Sequence, residues 1–263
     1  KQKLSFSLPQ IPGGLAFWGL TTMDRFFIRA LSGFDELGVY AVSVGLAAAV
    51  SVLSTVFSNI WHPVVYKWVK DGVEPKRVQL VIENMLIVVA LIWSLIGLFS
   101  WVIPYFLPSH YKAIEYIIVA CVAMPLFYML SETTVIGIGM TRRTGFAMLA
   151  SISAFIVNIF LNYLLIPIYG AAGAALATLI SFFVFFIIRT ESTAWLWHSF
   201  PRFKMYLLLI LYVTLTSIMV ITKANLEYFN LLWFFLFFLT LCIHKVRVFE
   251  SLSYLKNYFQ RRC

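Results

Sequence analysis

Charge is what this chain is short of. Only 12% of its 263 residues are Asp, Glu, Lys or Arg, 62% are hydrophobic, and the mean hydropathy is +0.90. A soluble core needs a larger polar coat than that, so the composition leaves an integral membrane protein. Short alternating segments are also missing. The apolar runs are long and unbroken, which excludes an outer-membrane barrel. Acids are scarcer than bases, 11 against 20, giving a formal charge of +9. On a soluble protein that excess would suit nucleic acid. Here no soluble domain exists to present a basic face, and Lys and Arg in cytoplasmic loops explain it better.

Cysteine is nearly absent. Cys121, Cys242 and Cys263 are scattered, with neither metal spacing nor a disulfide framework. The chain has no Gly-rich phosphate loop followed by Lys, no cluster of metal ligands, and no nucleophile with a base and an orienting partner. No catalytic residue, cofactor or metal is therefore expected, and the short loops favour a transporter over an enzyme. The opening KQKLSFSLPQIPGG lacks both an initiating Met and a signal-peptide cleavage pattern, so the expectation is a fragment that begins inside a longer protein.

What is present is a series of apolar runs, each near the roughly 20 residues that cross a bilayer. Eight candidate spans emerge: 11–32, 38–62, 80–103, 114–137, 145–167, 169–189, 204–222 and 226–244. PIYGAAGAA joins the fifth and sixth as a helical hairpin. With the N-terminus inside, sixteen of the 20 Lys and Arg residues fall in inner segments; the outer loops hold two, Lys112 and Lys223, and Arg25 and Arg29 lie in the first span. That bias predicts both termini to be cytoplasmic. The basic tail repeats Val248, Leu252, Leu255 and Phe259 at helical spacing and reads as an interfacial helix on the inner leaflet. Residues 193–206 look similar, with Trp195, Trp197 and Phe203 at headgroup depth.

The first span carries charges that lipid would reject. Asp or Arg at mid-span costs roughly 2.5–3.5 kcal/mol on insertion scales. Thr21, Arg25 and Arg29 lie one turn apart on one helical face, with Asp24 to one side. This stripe must face protein or a wet cavity. Arg29 is close enough to the outer end to snorkel, and Arg25 is not. Two readings of Arg25 stay open: an ion pair with Asp24 or Glu132 that locks two helices, or a free cation that receives an anionic headgroup through its planar fork of donors. Glu132 follows Pro125, which can kink its span, so it is either a proton or cation site or the partner of Arg25. Asn158 and Asn162, one turn apart, suit helix–helix adhesion or a substrate contact. Gly170, Ala171, Gly173 and Ala174 permit close packing. His62, His110, His198 and His244 sit at span ends and are assigned no chemistry.

The block DRFFIRALSGFDELGVYAVSVGLAAAVSVLSTVFSNIWHPVVYKW resembles the start of the C-terminal half of Wzx-type polysaccharide flippases, with an Asp-Arg pair in one helix and a Gly-x-Tyr start to the next. NIFLNYLLIPIYGAAGAALAT resembles that family's later helical hairpin, and the likeness extends over most of residues 8–190. The resemblance implies the multidrug/oligosaccharidyl-lipid/polysaccharide exporter superfamily. Residues 1–190 would then be the second six-helix lobe and 191–263 two additional helices, with the first lobe elsewhere. It further implies a flippase of the bacterial inner membrane that moves undecaprenyl-pyrophosphate-linked oligosaccharide for O-antigen or lipopolysaccharide synthesis. Membrane lipids, a polysaccharide polymerase and glycosyltransferases would be its partners. Arg25, Asp24, Thr21 and Arg29 would contact substrate, and Glu132 would be the candidate for ion coupling. Lobe rocking would give alternating access. The competing readings are a MATE-like cation-coupled drug antiporter, whose site would favour acids over arginine, and a membrane-embedded polymerase or transferase, which would be expected to carry a large outer loop.

Overall fold

Nothing in a bilayer core can satisfy a free peptide group, so an apolar run long enough to cross it folds as a helix that pairs its own N–H and C=O groups. The computed structural model describes residues 7–72, 74–223 and 226–243, and those residues form α-helices and short 3₁₀ turns without a strand. The helices are α1 (Gln10–Leu31), α2 (Phe34–Lys70), α3 (Pro75–Phe99), α4 (Ile114–Cys121), α5 (Ala123–Thr134), α6 (Ile136–Met140), α7 (Gly145–Tyr169), α8 (Ala171–Leu196), α9 (Phe203–Thr222) and α10 (Leu226–Ile243). Seven stretches are long and apolar enough to cross a membrane, from Phe34–Lys70 to Leu226–Ile243. The chain is an all-α, multi-pass membrane protein.

The expected first span is a helix of 22 residues but is not among the seven, because Thr21, Thr22, Asp24, Arg25 and Arg29 dilute its apolar stretch. The second helix is longer than expected. At 37 residues α2 extends about 55 Å, well beyond the roughly 30 Å of hydrocarbon, and absorbs the start of what reads in sequence as a basic loop. The expected fourth span is divided at Val122 and again at Val135. Pro125 explains the first break: without an N–H it cannot donate to the carbonyl of Cys121, and Ser54 Oγ donates to Pro125's own carbonyl at 2.9 Å. The interfacial tail proposed for 248–259 lies outside the described residues, as do His244 and Cys263.

Cross-links between helices define two ends of the bundle. At one, Ser32 Oγ donates to the carbonyl of Ile166 at 3.1 Å, and Glu36 accepts from the backbone N–H of Ala171 at 2.7 Å. The carboxylate of Glu36 there caps α8, next to Gly170, whose φ of +57° makes the turn from α7. At the other end, Glu191 holds Arg202 through two hydrogen bonds of 2.5 and 2.6 Å and accepts a third from Tyr206 at 2.7 Å. This clips the α8–α9 connection and raises the Arg202 pKa further, chiefly through those hydrogen bonds.

The α7–α8 hairpin is tight because Gly173 lies against the backbone of Leu165, where any Cβ would collide. α1 lies along α7, with Gly13 against Met148 and Gly19 against the Phe155 ring. α9 and α10 join the same buried cluster as the other helices. Gly97 of α3 admits the Trp233 indole of α10, and the Tyr212 hydroxyl bonds Ser94 at 2.6 Å and Thr240 at 3.1 Å. Such interhelical bonds contribute on the order of 0.6 kcal/mol each within a membrane.

Candidate functional site

Two buried carboxylates organise the interior. Asp24 is 1% exposed on α1. Its Oδ1 accepts from Asn158 Nδ2 at 3.0 Å and Asn162 Nδ2 at 2.6 Å; its Oδ2 accepts from the Tyr40 hydroxyl and the Thr178 hydroxyl, both at 2.5 Å. These donors come from α2, α7 and α8, and helix register brings them to one level. Asp24, Asn162 and Thr178 each lie seven residues from the end of their helix at the Gly170 side, and Tyr40 lies six, which is about 9–10 Å of helix. All four acceptor directions of the carboxylate are filled by neutral groups, and among the described residues no Lys, Arg or His lies within ion-pair distance.

The second carboxylate is treated differently. Glu132 of α5 is 4% exposed and is held by Arg189 and His62. Arg189 of α8 reaches its Oε1 at 2.9 Å, and His62 Nε2 of α2 lies 2.8 Å from its Oε2. Arg189 also donates to Ser131 Oγ at 2.6 Å and sits over the rings of Phe185 and Tyr128, at 4.9 and 5.9 Å. Arg189 follows the start of α8 by eighteen residues, so this cluster is about 27 Å from the Gly170 end.

The arrangement answers the question left by the sequence. Arg25 is paired with neither carboxylate: Asp24 is occupied by neutral donors and Glu132 by Arg189 and His62. Arg25 is exposed and, among the described residues, makes no ion pair. It lines a cavity of about 120 Å³ with Thr21, Asp24, Tyr40, Ser51, Cys121 and Thr178 among the other walls. A guanidinium and a carboxylate thus share one cavity without joining. Of the four residues expected to meet substrate, the cavity gathers Thr21, Asp24 and Arg25. The Thr21 hydroxyl is turned back onto the carbonyls of Phe17 and Trp18, at 3.2 and 3.0 Å. Arg29 is not in the cavity; it is exposed and stacks on Phe34 at 5.2 Å. Glu132 also lies elsewhere, in its ionic clamp.

Tyr40, Thr178, Arg189 and His62 were not singled out from sequence. Asn158 and Asn162 carried the available signal: two amides one turn apart in an apolar helix need a buried partner, and Asp24 is the nearest buried acid in the first helix. Asn162 Oδ1 remains buried without a partner. Rotating both amides would turn their oxygens toward Asp24, and with the Tyr40 and Thr178 hydroxyls this would make an all-oxygen cage suited to a hard monovalent cation. The described residues contain no cluster of His, Cys, Asp and Glu suited to a transition metal. No protein-family model, curated protein or solved structure matches the chain.

Proposed function

We propose that this chain is the second lobe, with two appended helices, of a flippase that translocates undecaprenyl-pyrophosphate-linked oligosaccharide across a bacterial inner membrane for polysaccharide synthesis. The observation that carries the reading is Arg25, an unpaired guanidinium on the wall of a cavity between membrane helices. With no carboxylate engaged among the described residues, its donors are free for an anionic partner. Arginine's donor fork matches a phosphate bidentately. The sugar would cross in the wet cavity while the prenyl chain stays in lipid.

Orientation supports the same reading. The Gly170 end of the described chain carries Arg29, Lys112 and Lys223, whereas the Glu132 end carries Lys67, Lys70, Lys76, Arg77, Arg142, Arg143, Arg189, Arg202 and Lys204. By the positive-inside rule the Glu132 end would face the cytoplasm. Beside Glu132, Asp24 is a candidate for the coupling ion, because its carboxylate has no ion-pair partner among the described residues and a monovalent cation would supply one. This feature also suits a cation-coupled drug antiporter, the second reading; the unpaired arginine beside it disfavours a cationic cargo.

The test is Arg25→Ala in the cell that makes the protein. Surface polysaccharide is lost while protein abundance in the membrane stays normal, and Arg25→Lys retains part of it. Undiminished polysaccharide in Arg25→Ala refutes the role.

A further inference from the structure

The Gly170 end of the bundle holds a second, larger concavity, separate from the Arg25 cavity. It measures about 540 Å³ and lies between the 3₁₀ segment Ser100–Phe106, the start of α4, and Lys223 and Leu226 at the facing ends of α9 and α10. Its walls carry Trp101, Tyr105 and Tyr116, and its rim carries Lys112 and Lys223 from different connections. These are the two lysines that the charge bias leaves on the outer face. Both are exposed and neither has an ion-pair partner among the described residues. Glu115, 5% exposed, also lines the cleft. Trp101 and Tyr105 meet edge to face at 6.0 Å, which holds Trp101 against its neighbour at the cleft edge.

We infer that this cleft binds an anionic, hydroxyl-rich group, an acidic saccharide, at the outer face of the membrane. Ring faces carry a negative quadrupole and attract the polarised C–H faces of a pyranose. The two lysines supply point charges for a carboxylate or phosphate without dictating its orientation. The volume falls within the range of small-ligand sites and admits a short oligosaccharide. An interfacial aromatic belt alone would require rings at headgroup depth but no concavity between three chain segments. The inference deepens the flippase reading, which it rests on only for the source of the saccharide: a substrate emerging on the outer side would find a landing site there.

The same chemistry has a second source, the phosphate of an anionic lipid headgroup, and direct binding separates the two. The purified chain in zwitterionic-lipid nanodiscs is titrated with trigalacturonate and, as a neutral control, maltotriose, following ligand resonances by saturation-transfer NMR. Trigalacturonate is expected to bind saturably and at least tenfold more tightly than maltotriose. Lys112→Gln/Lys223→Gln should weaken it at least tenfold, and Trp101→Ala should weaken both sugars. The replaced side chains are exposed, and unchanged helical circular dichroism checks each fold. Nanodiscs containing phosphatidylglycerol should leave trigalacturonate binding within about twofold. Absent binding, equal binding of the neutral sugar, or complete competition by phosphatidylglycerol overturns the inference. Because binding is read without transport, failure here leaves the Arg25 test standing, and failure there leaves this one standing.

Discussion

Asp24 and Glu132 are both carboxylates buried between membrane helices, and the protein stabilises them by opposite means. Glu132 is compensated on the spot by Arg189 at 2.9 Å, with His62 at 2.8 Å on its other oxygen, and the same Arg189 nitrogen also donates to Ser131. Asp24 is surrounded by two amides and two hydroxyls, and the nearest cation in sequence, Arg25, faces the cavity instead. A carboxylate compensated by a fixed cation has no use for a mobile one. A carboxylate held only by neutral dipoles keeps its full charge, and in a low dielectric a cation beside it would be favoured. The first arrangement fastens α2, α5 and α8 together through charge; the second joins α1, α2, α7 and α8 through neutral donors alone.

The same chemical change should therefore have unequal consequences at the two positions. Glu132→Gln leaves Arg189 buried and uncompensated, and should cost about 3–5 kcal/mol, read as a lowered denaturation midpoint in detergent. Adding Arg189→Met should recover most of that loss, and a double variant no better than Glu132→Gln would break the comparison. At Asp24 the larger effect should be on ion dependence. Raising Na⁺ should stabilise the wild-type protein by up to about 2.7 kcal/mol at a hundred times the dissociation constant. Asp24→Asn should abolish that response while keeping most of the hydrogen bonds; an unchanged response in Asp24→Asn would place the ion elsewhere. Asn162→Ala removes one donor to an ionised acceptor and should cost about 1.5 kcal/mol. Arg25→Ala should change stability by less than about 0.5 kcal/mol, because the side chain is exposed and unpaired. A larger loss would reveal an ion pair and remove the ground for a ligand.

The fold was legible where it follows from solvent. Apolar runs, the Pro167 exit and the Gly170 turn announce the helices and the hairpin, and the charges of α1 announce that it cannot face lipid throughout. Long-range pairing was less accessible. Arg189 reads as one more basic residue at the inner end of a span, and only the packing of α8 on α5 carries it to Glu132. His62 reads as a span-end histidine because α2 continues through Pro63 to Lys70, eight residues beyond the apolar run. The partners of Asp24 are scattered from position 40 to position 178, so no local spacing connects them. The vacancy of Arg25 was the least legible of all, since it depends on both acids being engaged by other residues.

Binding of a prenyl pyrophosphate tests the central claim most directly. Geranylgeranyl pyrophosphate and geranylgeraniol are each titrated into the purified wild-type chain and Arg25→Ala, following the change in tryptophan fluorescence. The account predicts that Arg25→Ala weakens the pyrophosphate at least tenfold and leaves the alcohol unchanged. Equal affinity of both proteins for the pyrophosphate would contradict it.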